Sequence, residues 1–436
     1  MIKKILEVEV SKFVEHILAE ENSHKVIILT ACQACGGRNL YKFMNFGPMP
    51  KPNIYQTREE VFEHGQISYQ LDANLCTDCG LVQLGEIVPS DELFADDYAY
   101  RTPDAMKPDF KQGALETIAI SHAKKGSKVL EIGSNIGIWL KEFKKLGMKV
   151  VGVDPATLYA DQANEAGIKT IIEPFTPELA KKIVEEMGKM DVVAAANVLQ
   201  HIPDIRGTIE GIAIVLAPKG VFTLEFPYLG NILDNTDFDT FYAEHYYYLS
   251  LNPLQKMFKS FGLTMVHAKR LPNIHCGSMR IFVKHVPAQM SSELKAMLKE
   301  EETLGFLDPK RFTAFSGKVN DIMHQIYEHL HIAKMRGERI VAHGSSAKFV
   351  TLTNYGHIGS DYIEYVADST VAKHGKLTPG MGIPVVSEEK LLKDAPDVIF
   401  CGIRNFYVQN EEKYNLIKKR NPKAKILIPI PEVYYR

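Results

Sequence analysis

Lys128-Val-Leu-Glu-Ile132, Gly133-Ser-Asn-Ile-Gly137, an amphipathic run to Leu146, and Lys149-Val-Val-Gly-Val153 read in order as strand, glycine turn, helix and strand. Apolar strands alternating with helices in this way make βαβ units, which open a parallel sheet. Working outward, further strands are expected at Asp191 to Ala195 and Gly220 to Glu225. A second unit of the same pattern starts at Arg339-Ile-Val-Ala-His343 and continues through Gly344 to Lys348 and a helix to Tyr362 to Ala367. Strands at Val398 to Cys401 and Lys425 to Pro429 complete it. The Glu, Lys and Leu-rich stretch from Ser291 to Arg336 fits a long helix or helix pair joining the two α/β units.

The chain has 436 residues, 45% hydrophobic and 24% charged, which is more than one ordinary core can organise. Its 51 basic and 53 acidic side chains nearly cancel, so there is no general electrostatic ground for nucleic-acid or anionic-membrane binding. No apolar run approaches the roughly 18 residues that span a bilayer. Glu7, Glu9 and Lys12 interrupt the segment after Lys3-Lys4, so neither a signal peptide nor an anchor is expected. Residues 1–30 form an extension, with an amphipathic helix expected from Leu6 to Ala19 and a strand from Lys25 to Thr30.

Four of the six cysteines form two C-x-x-C knuckles, Cys32-Gln-Ala-Cys35 and Cys76-Thr-Asp-Cys79, while Cys276 and Cys401 stand apart. So few cysteines in so long a chain exclude a disulfide scaffold and suit the reducing cytoplasm. Two knuckles supply four thiolates, enough to close a tetrahedral zinc site with no position left for water. Zinc is therefore expected to be structural. It would stabilise a module whose short apolar segments look too sparse for an unaided core.

The turn after the first strand lacks the second glycine with which dinucleotide sites approach a pyrophosphate, since Asn135 stands at that position. Glu131-Ile-Gly133-x-x-x-Gly137 instead resembles motif I of S-adenosylmethionine-dependent methyltransferases. The expected cofactor contacts are Glu131, Gly133, Ser134, Asn135, Gly137, Asp154, Pro155 and Asn197, with Asp154 on the ribose hydroxyls. Tyr242-Ala-Glu244-His245-Tyr-Tyr-Tyr248 is a second dense constellation. Histidine, with an ordinary pKa of about 6.5, can take a proton near neutrality, and an adjacent carboxylate can set its tautomer or hold a substrate hydroxyl. Gly344-Ser345-Ser-Ala-Lys348 offers backbone N–H groups at a helix start and an ammonium, both suited to phosphate oxygens.

Through these residues the chain from Cys32 to Arg436 resembles the nucleotide-sugar C-methyltransferases that methylate C3 of dTDP-4-keto-deoxysugars. The likeness includes Leu81-Val-Gln-Leu84, Tyr98-Ala-Tyr100, Asn197-Val-Leu-Gln-His201-Ile-Pro203, Pro227-Tyr-Leu-Gly230, Leu377-Thr-Pro-Gly380 and Pro431-Glu-Val433. It implies a zinc-binding module at residues 31–100, a class I methyltransferase domain at 101–290 and a Rossmann-like sugar-nucleotide domain at 291–436. It also implies His245 as general base, Glu244, Tyr242 and Tyr98 as catalytic partners, and His201, Ser345, Lys348 and Asn354 as substrate contacts. The tyrosine hydroxyls would stabilise an enolate. Departures are Asn135-Ile-Gly137, Arg101-Thr-Pro-Asp104 and Arg404-Asn405, where the family has Asn-Asp-Gly, a serine-rich stretch and an aromatic-asparagine pair. Competing readings are methyl transfer to oxygen or nitrogen, an NAD-dependent sugar oxidoreductase or epimerase, and a non-catalytic zinc scaffold.

Overall fold

The structure, a computed structural model, describes residues 26–89, 93, 102, 106–272, 274 and 277–436. Tyr98, Arg101, Cys276 and the expected helix from Leu6 to Ala19 lie outside them. Of the strand expected at Lys25 to Thr30, Ile27–Ile28 pairs with Glu86–Ile87.

The N-terminal part is an antiparallel sheet of β1 (Leu40–Pro50), β2 (Ser68–Cys76) and β3 (Val82–Leu84). Its fourth strand, Tyr247–Tyr248, comes from far along the chain and pairs with β3. The expectation of too few apolar residues here is corrected by the packing. Phe43 lies 4.9 Å from Phe312 and 6.1 Å from Phe241, and Phe46 stacks on Phe241 at 5.5 Å. The module thus shares the molecule's largest core and does not need to build one of its own.

Seven strands make the central sheet: β4 (Lys128–Ile132), β5 (Lys149–Val153), β6 (Thr170–Ile171), β7 (Met190–Ala196), β8 (Leu216–Pro227), β9 (Leu263–Leu271) and β10 (Ser278–His285). Their order is β9-β10-β8-β7-β4-β5-β6, parallel except for β10, which runs antiparallel to both neighbours. The chain leaves β4 toward β5 and later returns on its other side as β7. The crevice beyond the carboxyl ends of β4 and β7 is therefore the topological switch point, where such sheets bind ligands.

Two helices, Ser292–Thr303 and Pro309–Met335, connect this sheet to the last one. Each starts on a side-chain cap, Ser291 accepting from Leu294 N and Asp308 from Lys310 N. The final sheet runs β13-β12-β11-β14-β15-β16, from β11 (Ile340–His343), β12 (Val366–Ala367), β13 (Val385–Val386), β14 (Val398–Cys401), β15 (Lys425–Ile428) and β16 (Tyr434–Tyr435). All pairs are parallel except the last. The α/β class with two Rossmann-like sheets behind a cysteine-bearing module is thus the observed architecture. The strand expected at Tyr362 to Ala367 contracts to two residues, because the chain before it turns through Gly359 and Tyr362.

Candidate active site and metal centre

The four knuckle cysteines converge, all four sulfurs lying within 4.8 Å of one another. Cys32 Sγ is 3.5 Å from Cys79 Sγ, and Cys35 Sγ is 3.7 Å from Cys76 Sγ. Zinc–sulfur bonds of about 2.3 Å in a tetrahedron give sulfur–sulfur edges of about 3.8 Å, so the set fits zinc. The two turns are built alike: Gly36 N and Gly80 N donate to Cys32 O and Cys76 O, each at 2.8 Å. Ala34 N, Gly37 N and Leu81 N point at sulfur, as donors to metal-bound thiolates do. The 40-residue interval between knuckles is taken up by β1, a short helix at Arg58–His64 and β2.

At the switch point, Gly133 has φ +66, and a Cβ there would meet Val198 Cγ2 at 2.3 Å. The turn after β4 and the turn after β7 therefore touch with no room for a side chain. Around this contact three buried acceptors have no partner among the described residues: Glu131 Oε2, Ser134 Oγ and Asn197 Oδ1. Burial pushes the Glu131 carboxyl well above its ordinary range, with the nearby Asp154 charge adding to it. The Glu131 carboxyl accepts from the Leu140 N–H, and its unpartnered Oε2 suits a cation such as the α-ammonium of S-adenosylmethionine. The donor set fits that cofactor.

Asp154, beyond β5, accepts Asn135 N at 2.7 Å on one oxygen and Ala156 N at 2.9 Å on the other. Asn135 also holds φ +48, and its Oδ1 accepts Thr102 N at 3.0 Å. The remaining expected contacts are less central. Gly137 has φ +70 and starts the helix Ile138–Lys145 packed on Ile168, and Pro155 is exposed.

Tyr242, Glu244, His245 and His201 come together beside the carboxyl end of β7. His245 Nδ1 faces Thr240 O at 3.0 Å, and Nε2 faces the Tyr242 hydroxyl at 2.9 Å. A carbonyl can only accept, so Nδ1 carries the proton and Nε2 accepts from tyrosine. Both ring nitrogens face groups other than the Glu244 carboxyl, so of the two roles read for that carboxylate the tautomer is set instead by the Thr240 carbonyl, which leaves the substrate hydroxyl. Glu244 is 3% exposed, and burial pushes its carboxyl up to about 7 against a hydrogen bond from Asn53. Asn53 Nδ2 donates to Glu244 Oε1 at 2.7 Å across 191 positions of sequence. His201 stacks edge-on to His245 at 4.7 Å, and its Nδ1 meets Glu244 O at 2.7 Å. Burial drops the His201 pKa to about 4, so it is neutral at working pH.

In the C-terminal unit, Ser345 is fully buried, its N–H on Asp368 Oδ2 at 2.7 Å and its Oγ against the Tyr55 hydroxyl at 2.8 Å. Lys348 sits 3.9 Å from Asp239. Asn354 donates both amide hydrogens to backbone, Val350 O at 2.8 Å and Pro379 O at 3.0 Å. Three groups near the site carry no signal in the sequence: Asn53, Tyr55, and the pair Asp237 and Asp239 held by Arg404.

Three families match successive parts of the chain. Residues 32–94 match a "zinc binding domain", 107–268 a "methyltransferase domain" and 273–431 a "C-methyltransferase C-terminal domain". The C-methyltransferase NovU of Streptomyces niveus is 30% identical over 411 residues, covering 92% of this chain and 95% of that protein. A ubiquinone biosynthesis O-methyltransferase of Colwellia psychrerythraea is 29% identical over 98 residues, 22% of this chain and 39% of its own length. Among solved structures, the Burkholderia thailandensis 1,6-didemethyltoxoflavin-N1-methyltransferase with bound S-adenosylhomocysteine is 18% identical. It covers 42% of this chain and 80% of that one at a TM-score of 0.32.

Proposed function

We propose a substrate and a mechanism for this chain, which belongs to the family of C-methyltransferases with an N-terminal zinc-binding module and is an S-adenosylmethionine-dependent enzyme. The acceptor is C3 of a nucleotide-linked 4-keto deoxysugar, of the dTDP type, in branched-sugar biosynthesis. The observation that carries this reading is the row of buried Thr240, buried His245 and half-buried Tyr242 beside buried Glu244. Transfer to a hydroxyl or amine needs only a base and a sulfonium, whereas a carbon acceptor first needs a C–H proton removed next to a carbonyl.

The bound S-adenosylmethionine supplies an electrophilic methyl group on a positively charged sulfur. Glu131, Ser134, Asn135 and Asn197 hold its amino acid portion, and Gly133 allows the close approach. Asp154 has a second lone pair on each oxygen for the two ribose hydroxyls, and Pro155 flanks the ring. His245 takes the C3 proton on Nε2 while Thr240 O steadies the imidazolium through Nδ1–H. The Tyr242 hydroxyl, now on Nε2, turns to the enolate oxygen as charge develops there, exchanging one hydrogen bond for another. Ionised Glu244 and neutral His201 hold sugar hydroxyls. Ser345, Lys348 and Asn354 belong to the nucleotide side, Lys348 meeting a phosphate and the other two shaping the loop. Tyr98, outside the described residues, is assigned the part of a second donor to the enolate on the family resemblance alone.

The test is solvent deuterium entering sugar C3. His245→Asn should stay folded and bind the methyl donor, yet lose about 10²- to 10⁴-fold in turnover along with C3 exchange. Wild-type exchange in that variant would transfer the role to Glu244. No methylation of any nucleotide ketosugar by the wild type would overturn the substrate assignment.

A further inference from the structure

The zinc module does more than pack against the catalytic domain, because one of its loops enters the active site. Pro52 is buried, Asn53 donates to Glu244 Oε1 at 2.7 Å, and Tyr55 is buried two residues further on. The Tyr55 hydroxyl donates to Ser345 O at 2.7 Å, and its ring lies 4.7 Å under the Lys373 ammonium. Leu377 N then donates to Gln56 O at 2.8 Å, and Gly380 N to Gln66 Oε1 at 2.8 Å. The loop is therefore moored at several points to the C-terminal unit, and Asn53 reaches Glu244 from a fixed base.

Glu244 needs such a partner. Its carboxyl is buried, and burial alone favours the neutral form, which can neither accept from two sugar hydroxyls nor complement an imidazolium. An amide that donates to one oxygen favours the ionised form and also fixes which oxygen is left for a ligand. Of the other titratable groups on the packed elements, Tyr55 on the same loop senses the Glu244 charge, His201 beyond β7 meets the Glu244 backbone oxygen, and Tyr242 and His245 lie on its own segment. Burial holds Tyr55 above its ordinary pKa and His201 below, so both are uncharged near neutrality. Asn53 is thus the polar partner that acts on Glu244 from outside the methyltransferase sheet.

We propose that Asn53 is a positioning residue of the reaction: the zinc module, moored to the C-terminal unit through Tyr55, uses it to hold Glu244 oriented and ionised beside His245. The contact that orients Glu244 stands on geometry alone, whereas its use in catalysis rests on the ketosugar reading. The experiment therefore has a substrate-free arm. In zinc-loaded full-length protein, the Glu244 carboxyl is titrated by infrared difference spectroscopy, with Glu244→Gln identifying its band.

Asn53→Leu, which keeps the size and deletes the donor, should raise the midpoint by about one pH unit, the scale of one hydrogen bond to a charged acceptor. Asn53→Asp should raise it at least as far. With substrate, the acidic limb of the kcat profile should rise by the same amount, with KM for the methyl donor unchanged. An unmoved midpoint in both variants overturns the proposal. If neither variant folds, asparagine-selective ¹⁵N labelling of the wild type decides. One side-chain amide must follow the Glu244 midpoint and lose that titration in Glu244→Gln, and its absence is equally fatal. A shifted midpoint without methylation of any ketosugar leaves Asn53 in place and removes the substrate assignment alone.

Discussion

Arg404 joins the C-terminal unit to the catalytic sheet through a buried ion cluster, and its removal should be among the most destabilising single changes in this protein. Its guanidinium donates to Asp237 at 2.6 Å, and to Asp239 through both terminal nitrogens, one of them at 2.9 Å. The three side chains are 9%, 4% and 2% exposed, so Arg404→Ala would strand two carboxylates away from water. Breaking a buried pair costs about 3–5 kcal/mol, and Lys348, 3.9 Å from Asp239, retains part of the compensation. We therefore expect about 3 kcal/mol, which at roughly 2–4 °C per kcal/mol for a unit of this size lowers the apparent Tm by about 6–12 °C.

The pH dependence has a definite sign. Burial already raises the Asp237 pKa against the pull of Arg404 and Lys348, and without Arg404 it rises further. A carboxyl with a folded pKa above its unfolded one destabilises when ionised and is relieved as pH falls through the folded value. The loss should thus shrink between pH 8 and pH 5, and Arg404→Met with Asp239→Asn should suffer less than Arg404→Met alone. Thermal unfolding across that range is the assay. A loss under 1 kcal/mol at pH 7.5, or one independent of pH, refutes the reasoning.

One zinc per chain is expected by metal analysis, and Cys76→Ser should lose it, lower the Tm and reduce activity through displacement of Asn53. Calorimetry should find one S-adenosylmethionine per chain, weakened about ten- to a hundredfold by Asp154→Ala and untouched by Asp368→Ala. Donor affinity should fall on acidification, because the buried Glu131 carboxyl, with its raised pKa, must be ionised to meet the α-ammonium, and Glu131→Gln should flatten that dependence.

What can be read in the sequence is what depends on near neighbours. β4, β5 and β14 match their expected bounds because a buried parallel strand is a short apolar run, and Gly133 marks the only backbone that clears Val198. Glu244 and His245 are adjacent, as are the members of each knuckle, so their chemistry is visible. The module's sheet is not: its pattern breaks at register shifts between Lys42 and Met44 and between Asn45 and Gly47, and Pro48 and Pro50 disguise β1 as loop. Asn53, Tyr55 and Arg404 act across 191, 290 and 165 or more positions. Nothing local marks such residues. Asn354 reads in sequence as a substrate contact, yet its amide hydrogens close backbone carbonyls inside its own unit.

The two Rossmann-like units repeat one device with opposite outcomes. Gly133 N donates to Val153 O at 2.8 Å and Gly344 N to Ala367 O at 2.7 Å, so each glycine turn hangs on the next strand in the same way. Each next strand ends in an aspartate that ties the turn back, Asp154 to Asn135 N and Asp368 to Ser345 N, both at 2.7 Å. Each aspartate also caps the chain two residues on, at Ala156 N and Thr370 N. Beyond that the copies part. Around the first, Glu131, Ser134 and Asn197 keep buried acceptors with no partner among the described residues. Around the second, Lys373 lies 3.7 Å from Asp368 and donates to Ser345 O at 2.6 Å, and Tyr55 covers the serine. In the second unit the chain's own ammonium and phenol thus meet the turn and its aspartate. The second turn also moors the loop that carries Asn53 to Glu244. The zinc module, the Glu244 carboxyl and the C-terminal crevice are in this sense one mechanical unit, joined through Asn53 and Tyr55.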